Sequence, residues 1–256
     1  MIAELHSKIS GTGSNLSDRL EDKLTGDIFG TLRYLPFWMG MAQILQTARI
    51  ESLAQYVGQL ELSYWGDCIQ FWPHHERGEL DVFLEFEKAA IGIEVKYLSG
   101  LSSDDGVDNS EAVGDMVFEE SNHQLARESL IVKEWSRGQK PAYLIFVAND
   151  SACATVYKNT LDRNILVPGV SLGYISWQEI LVLLSRLTPE TPCQGLILND
   201  MIQLLKRKNF ERFCNFELTH CKTINPDGYF PYDYTPEEFT FRFTETISKG
   251  DYYEYR

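Results

Sequence analysis

A mixed α/β fold is what three features of this sequence predict. Leu16, Leu20, Leu24, Ile28, Leu32 and Leu35 recur at three- or four-residue spacing, which makes one apolar helical stripe. Three short strand-like runs follow between residues 67 and 98. Beyond them, helical stretches alternate with the apolar runs AYLIFVA (142–148) and SLGYIS (171–176), which suit buried strands. The order helix, three strands, helix, strand describes an α/β core with extra helices after it.

Each element has a local reason. Residues 1–14 are polar and rich in Gly and Ser, and are expected to be a flexible lead-in. In the first helix Asp18 and Glu21, three apart, can form a capping box, and Pro36 marks its end. A second helix is expected over 39–58, closing near Gly58. DCIQFWP (67–73) reads as a strand, and 79–86 and 91–98 as two more joined by a short turn at EKAA. Residues 100–120 carry seven acids and no Lys or Arg, and read as a loop. Helices are then expected near 118–137, 152–163, 177–187 and 194–208, and the last 35 residues, rich in Tyr, Phe and acids, as loop with a short strand or two.

The composition is that of a folded protein: 44% of the 256 residues are apolar, enough for a substantial core. Formal net charge is −14, from 37 acids against 23 Lys and Arg. That argues against binding nucleic acid through the overall field, and leaves room for a local basic groove or a partner subunit that supplies one. Lys206, Arg207, Lys208 and Arg212 are the clearest basic cluster, suited to a phosphate backbone or to a helix C-terminus that favours cations. Five cysteines without a CxxC pair fit free thiols in a reducing compartment. Cys214, His220 and Cys221 lack the four convergent ligands of a zinc site. The N-terminus has no apolar signal core and no apolar run reaches about 18 residues, so a cytoplasmic chain with no membrane association is expected.

The chemistry concentrates in GELDVFLEFEKAAIGIEVKYLSG, residues 78–100. If the hairpin turns between Lys88 and Ala89, Asp81 lies opposite Lys96 and Phe83 opposite Glu94. Alternation then gathers Asp81, Glu94 and Lys96 on one face and sends Val82, Leu84, Ile91, Ile93 and Val95 to the core. A slip of one residue would destroy that sorting. Two carboxylates and an ammonium suit Mg²⁺ or Mn²⁺, with Asp81, Glu94 and the backbone carbonyl of Val95 as ligands and Lys96 orienting or helping to deprotonate a water. An ordinary Asp–Lys cross-strand pair on an exposed face is the competing account. His74, His75 and Glu76 sit too close in sequence to converge on a metal and are expected in a solvated loop. The acids at 104–115 lack calcium-loop spacing. Tyr252, Tyr253 and Tyr255 are expected to pack on the protein's own body.

The Asp81, Glu94 and Lys96 pattern in this element order resembles the PD-(D/E)xK phosphodiesterase superfamily, the restriction-endonuclease-like fold. The wider pattern, an ED-LTG-FG-LRYLP opening, KYLSG and QLARE, resembles stand-alone bacterial defence-type nucleases over roughly residues 15–215. The resemblance implies a nuclease domain over 15–215 and an extension, 216–256, packed on it. It implies a carboxylate on the first helix, matched by Glu21 with Asp22 as a rival. It also implies a glutamine on the helix after the meander, matched by Gln124, with Arg127 and Glu128 one turn on. Leu80 stands where the family has Pro. The implied activity is Mg²⁺- or Mn²⁺-dependent endonuclease cleavage of DNA in a prokaryotic antiviral defence or restriction system, with a partner protein subunit and with oligomerisation left open. The alternatives are a catalytically silent subunit of the same fold and an acidic DNA mimic that inhibits a DNA-binding enzyme.

Overall fold

The computed structural model describes residues 16–62, 64–97 and 123–212. All of them belong to one compact unit that ends at Arg212. The expected lead-in, the acidic loop with Asp104 to Asp115, the Cys214–Cys221 segment and the tyrosine-rich extension lie outside the described residues.

Among the described residues there are seven α-helices and a mixed five-stranded sheet. Helix α1 is Leu16–Leu32, α2 Met41–Thr47 and α3 Glu51–Val57. Strand β1 is Ile69–Phe71, β2 His74–His75, β3 Gly78–Glu79, β4 Val82–Phe86 and β5 Ala89–Val95. Then come α4 (Gln124–Trp135), β6 (Ala142–Ala148), α5 (Asp150–Asp162), β7 (Val170–Ser176), α6 (Trp177–Arg186) and α7 (Pro192–Arg207). The sheet order is β1-β4-β5-β6-β7. β1, β4 and β5 are antiparallel, and β5, β6 and β7 are parallel.

Both faces of the sheet are covered. Val82, Leu84, Ile91, Ile93 and Val95 pack with α1, α2, α3, α6 and α7 in the larger core. Leu80, Phe83, Ala90, Leu144 and Phe146 pack with α4 and α5 in a smaller one. The crossovers β5-α4-β6 and β6-α5-β7 advance in one direction across the sheet. With a fixed crossover hand, that puts both helices on one face. Burial on both faces explains why AYLIFVA is apolar throughout rather than alternating.

Four local expectations are corrected. First, α1 begins at Leu16, so Asp18 lies inside the helix and not at the position before it; the stripe itself holds, with Leu24, Ile28, Leu32 and Leu35 all buried. Second, the expected helix 39–58 is two helices. The link turns at Arg49 (φ 61°), where Ala48 O accepts from the edge-strand Tyr174 N–H at 3.0 Å. Arg49 stacks over the Tyr174 ring at 4.1 Å and bonds Glu179, so tertiary contacts at the sheet edge override helix propensity. Third, the strands expected at 67–73 and 79–86 are shorter. The chain leaves β1 at Trp72 (φ 45°), makes the small β2–β3 hairpin and returns through Asp81, whose O accepts from Trp72 N–H at 3.0 Å. Fourth, the β4–β5 register differs by two residues: Phe86 faces Ala89 across a two-residue turn, Glu87–Lys88, and Phe83 faces Gly92 rather than Glu94. A shift of two, unlike a shift of one, leaves every side chain on its expected face.

Candidate functional site at the end of strand β5

β5 delivers Glu94 and Lys96 to the end of the sheet. Lys96 N–H donates to Val147 O at 2.7 Å, which prolongs the pairing with β6, and Lys96 O accepts from Trp177 Nε1 at 2.9 Å. Trp177 is fully buried and stacks on Phe210 at 5.7 Å. Both bonds fix the backbone from which the Lys96 side chain departs. Asp81 immediately precedes β4. Extended by one residue, the observed register sets it across from Glu94, not Lys96. Its Oδ2 accepts from Val95 N–H at 2.7 Å, so side chain and backbone together tie the two strands.

Helices from both layers close on this strand end. Lys96 Nζ lies 2.7 Å from Glu94 Oε1 and 2.9 Å from Glu21 Oε1 on α1. Glu21 Oε2 accepts from Tyr97 N–H at 3.0 Å. On the other side, Gln124, the first residue of α4, donates to Glu94 Oε1. Asp81, Glu94, Lys96, Glu21 and Gln124, the residues expected from sequence, thus come together. The exposed-face account does not hold, because Glu94 is 2% and Lys96 6% accessible.

Glu128 was not assigned a role from sequence and belongs here too. One helical turn after Gln124, it is buried against Glu94 and Gln124, and its Oε2 has no hydrogen-bond partner. Its four-residue spacing from Gln124 was the available signal. Trp177 had no comparable signal, because its contact with Lys96 spans 81 residues.

Electrostatics follow from crowding acids in a dry place. Burial, then the Glu94 carboxylate, pushes Asp81 well above the usual carboxylate range, against the pull of Lys96 and the Val95 N–H. Burial, then Glu128, pushes Glu94 up as well. Burial pushes Glu128 up to about 8, against its hydrogen bond with Glu94. Burial alone would lower Lys96, but Glu94, Glu21 and Asp81 outweigh it and hold the ammonium above its ordinary value. Four carboxyl groups therefore surround one cation, and protons must make up the missing positive charge.

The donor set suits a hard divalent cation. Carboxylate oxygens are what Mg²⁺ and Mn²⁺ take, and the unpartnered Glu128 Oε2 is an oxygen in want of a cation or a proton. Among the described residues, no three His, Cys, Asp or Glu side chains form a ready-made metal cluster. Mg²⁺ needs only one or two carboxylates, with waters and substrate oxygens completing its shell.

The remaining sequence features resolve structurally. His75 bonds Glu134 at 3.0 Å and packs edge-on to Trp135. The basic cluster divides: Lys206 pairs with Glu211, Arg212 pairs with Asp150, and Arg207 and Lys208 line a groove between α1 and α7. No helix among the described residues is long and apolar enough to cross a membrane. Comparison with protein-family models, curated proteins and solved structures finds no match to this chain.

Proposed function

We propose that this chain is a divalent-cation-dependent phosphodiesterase of the PD-(D/E)xK superfamily. Its substrate in this reading is DNA, cut internally, in a prokaryotic antiviral defence or restriction system where a partner subunit supplies recognition or activation. One observation carries the reading: Asp81, Glu94 and Lys96 meet at the end of a β-meander, with Glu21 and Gln124 reaching them from the helices before and after it. The order α1, β1-β4-β5, α4, β6 supports the same reading, because helix, antiparallel strands, helix, strand is the order that the resemblance implies.

Asp81, Glu94 and the carbonyl of Val95 would hold Mg²⁺ or Mn²⁺. The ion would supply an activated water and polarise the phosphodiester. The protein's own contribution is positional and electrostatic. Gln124 holds Glu94 by its Oε1, and the Val95 N–H holds Asp81 by its Oδ2. Lys96, kept protonated by its carboxylate neighbours, orients the attacking water and offsets charge on the phosphate rather than accepting a proton. Glu21 fixes the ammonium and the start of the following segment through Tyr97 N–H.

The test is conversion of supercoiled plasmid to nicked, linear or degraded products in 5–10 mM Mg²⁺ or Mn²⁺, conditions of about the usual order for such ions. Cleavage by the wild type, lost in Glu94→Ala and Lys96→Ala, is the expected outcome. Unimpaired cleavage by both variants removes the assignment. A protein that neither cuts nor binds the ion, yet forms a stable complex on pull-down, is the silent subunit instead.

A further inference from the structure

We propose that the groove between α1 and α7 seats a phosphate of the nucleic-acid backbone next to the cleavage site, so that the strand leaves the site over Tyr97. This rests on the nuclease reading and adds the path of the substrate. The groove has a volume of about 480 Å³, within the range of ligand sites. Its wall carries Lys23 from the middle of α1, Arg207 and Lys208 from the end of α7, Tyr97, and one carboxylate, Asp27 of α1.

Position comes first. Tyr97 follows Lys96 directly, and its N–H is held by Glu21, two residues before Lys23 on α1. The residues that fix the catalytic ammonium therefore also fix the groove wall. Charge comes second. In a chain of net charge −14, three cations gather here against one lining carboxylate, Asp27, which leaves a local excess of positive charge. Lys23 and Arg207 pair with no carboxylate among the described residues, whereas neighbouring Lys206 and Arg212 are neutralised by Glu211 and Asp150. Lys208 stacks on the Tyr97 ring at 4.5 Å, and burial, then Lys23, pulls its ammonium below the ordinary value even though Asp27 pulls the other way.

Cations that merely complement the C-terminal dipole of α7 account for Arg207 and Lys208 but not for Lys23. It lies mid-helix on another element and faces the same groove. A phosphodiester matches the excess of cations over Asp27, the aromatic floor and the adjacency to the metal-suited carboxylates. It also reconciles an acidic protein with a polyanionic substrate, since the field need be positive only locally.

The experiment is binding of a fluorescent 20-base-pair DNA duplex in EDTA between 50 and 200 mM salt, followed by anisotropy. Wild type is compared with Lys23→Ala/Arg207→Ala and, as a control, Lys206→Ala, with folding checked by circular dichroism. Each phosphate contact contributes about 0.9 to the slope of log K against log salt. With one phosphate seated, the double variant should therefore lose about 1 from the slope, roughly a three- to fourfold smaller loss of affinity over that salt range, while Lys206→Ala leaves the slope unchanged. An unchanged slope in the double variant, an equal drop in Lys206→Ala, or no duplex binding by wild type overturns the proposal. Plasmid cleavage is scored separately. Cleavage by wild type with no effect of the double variant on KM sinks the groove and leaves the nuclease reading. Salt-dependent binding through the groove without any cleavage sinks the nuclease reading and leaves the groove.

Discussion

Lys96→Met is the sharpest perturbation of the site, because one ammonium stands between two carboxylates at 2.7 and 2.9 Å with 7% of its side chain accessible. Methionine keeps most of the volume and removes the charge. Breaking a buried ion pair from one side costs about 3–5 kcal/mol, because a charge is left without compensation. Glu94 can escape that cost by taking a proton. For a glutamate with an ordinary unfolded pKa of about 4.3, holding a proton costs about 1 kcal/mol at pH 5 and about 5 kcal/mol at pH 8. Glu21 loses the same partner, so the loss in Lys96→Met is capped at about 2 kcal/mol at pH 5, about 1 for each glutamate, and reaches the full 3–5 kcal/mol at pH 8. The sign is that of a carboxyl raised in the folded state: folding then retains a proton, and stability drains away as pH rises above the unfolded pKa. Urea denaturation of wild type and variant at both pH values reads this directly. Losses equal within about 0.5 kcal/mol at pH 5 and pH 8 would mean that Lys96 contributes packing alone, and the electrostatic account of the site would be wrong.

Other consequences can be measured in parallel. Glu128 titrates near 8 in the folded protein, so its share of stability is lost as pH climbs from about 4.5 to about 8. Glu128→Gln should flatten the fall in Tm over that window, by up to about 1.4 kcal/mol per pH unit, and an unaltered profile would place its proton elsewhere. In the proposed nuclease reading Mg²⁺ would compete with protons for the same carboxyls, so 10 mM of the ion, a concentration on the order of ten times a millimolar Kd, should raise Tm more at pH 8 than at pH 5. The Glu94→Gln protein should show no such rise. A Cβ on Gly92 would sit 2.5 Å from Val132 Cγ2, so Gly92→Ala should cost about 1–3 kcal/mol and push α4, with Gln124 and Glu128, off the strand. Calorimetry of Mg²⁺ binding to that variant should then show weakened affinity. Trp177→Phe removes the donor to Lys96 O, and a Tm drop of roughly 2–6 °C is expected for about 1–2 kcal/mol in a chain of this size.

Periodicity made most elements legible. The α1 stripe, the apolar β6 run and the Asp81, Glu94 and Lys96 face were all readable because a two-residue or 3.6-residue repeat is a local property of the chain. Even the wrong hairpin register preserved the face, since parity survives a shift of two. The break at Arg49 was not readable: its cause, the edge of β7, lies 125 residues away. Nor could the stripe decide between Glu21 and Asp22, which differ by one step of helical phase; only the arrival of Lys96 and Tyr97 N–H at Glu21 does so.

The sequence by itself determined which residues face which way, and therefore that an aspartate, a glutamate and a lysine share one side of a β-ribbon. Tertiary structure alone decided that this side is roofed by α4, that Glu128 and Trp177 join the site, and that Arg207 and Lys208 part from Lys206 and Arg212 to meet Lys23. The physical reason is range. Side-chain alternation is set by neighbouring dihedral angles, whereas burial, carboxyl crowding and the fate of each cation depend on segments that meet only when the layers pack.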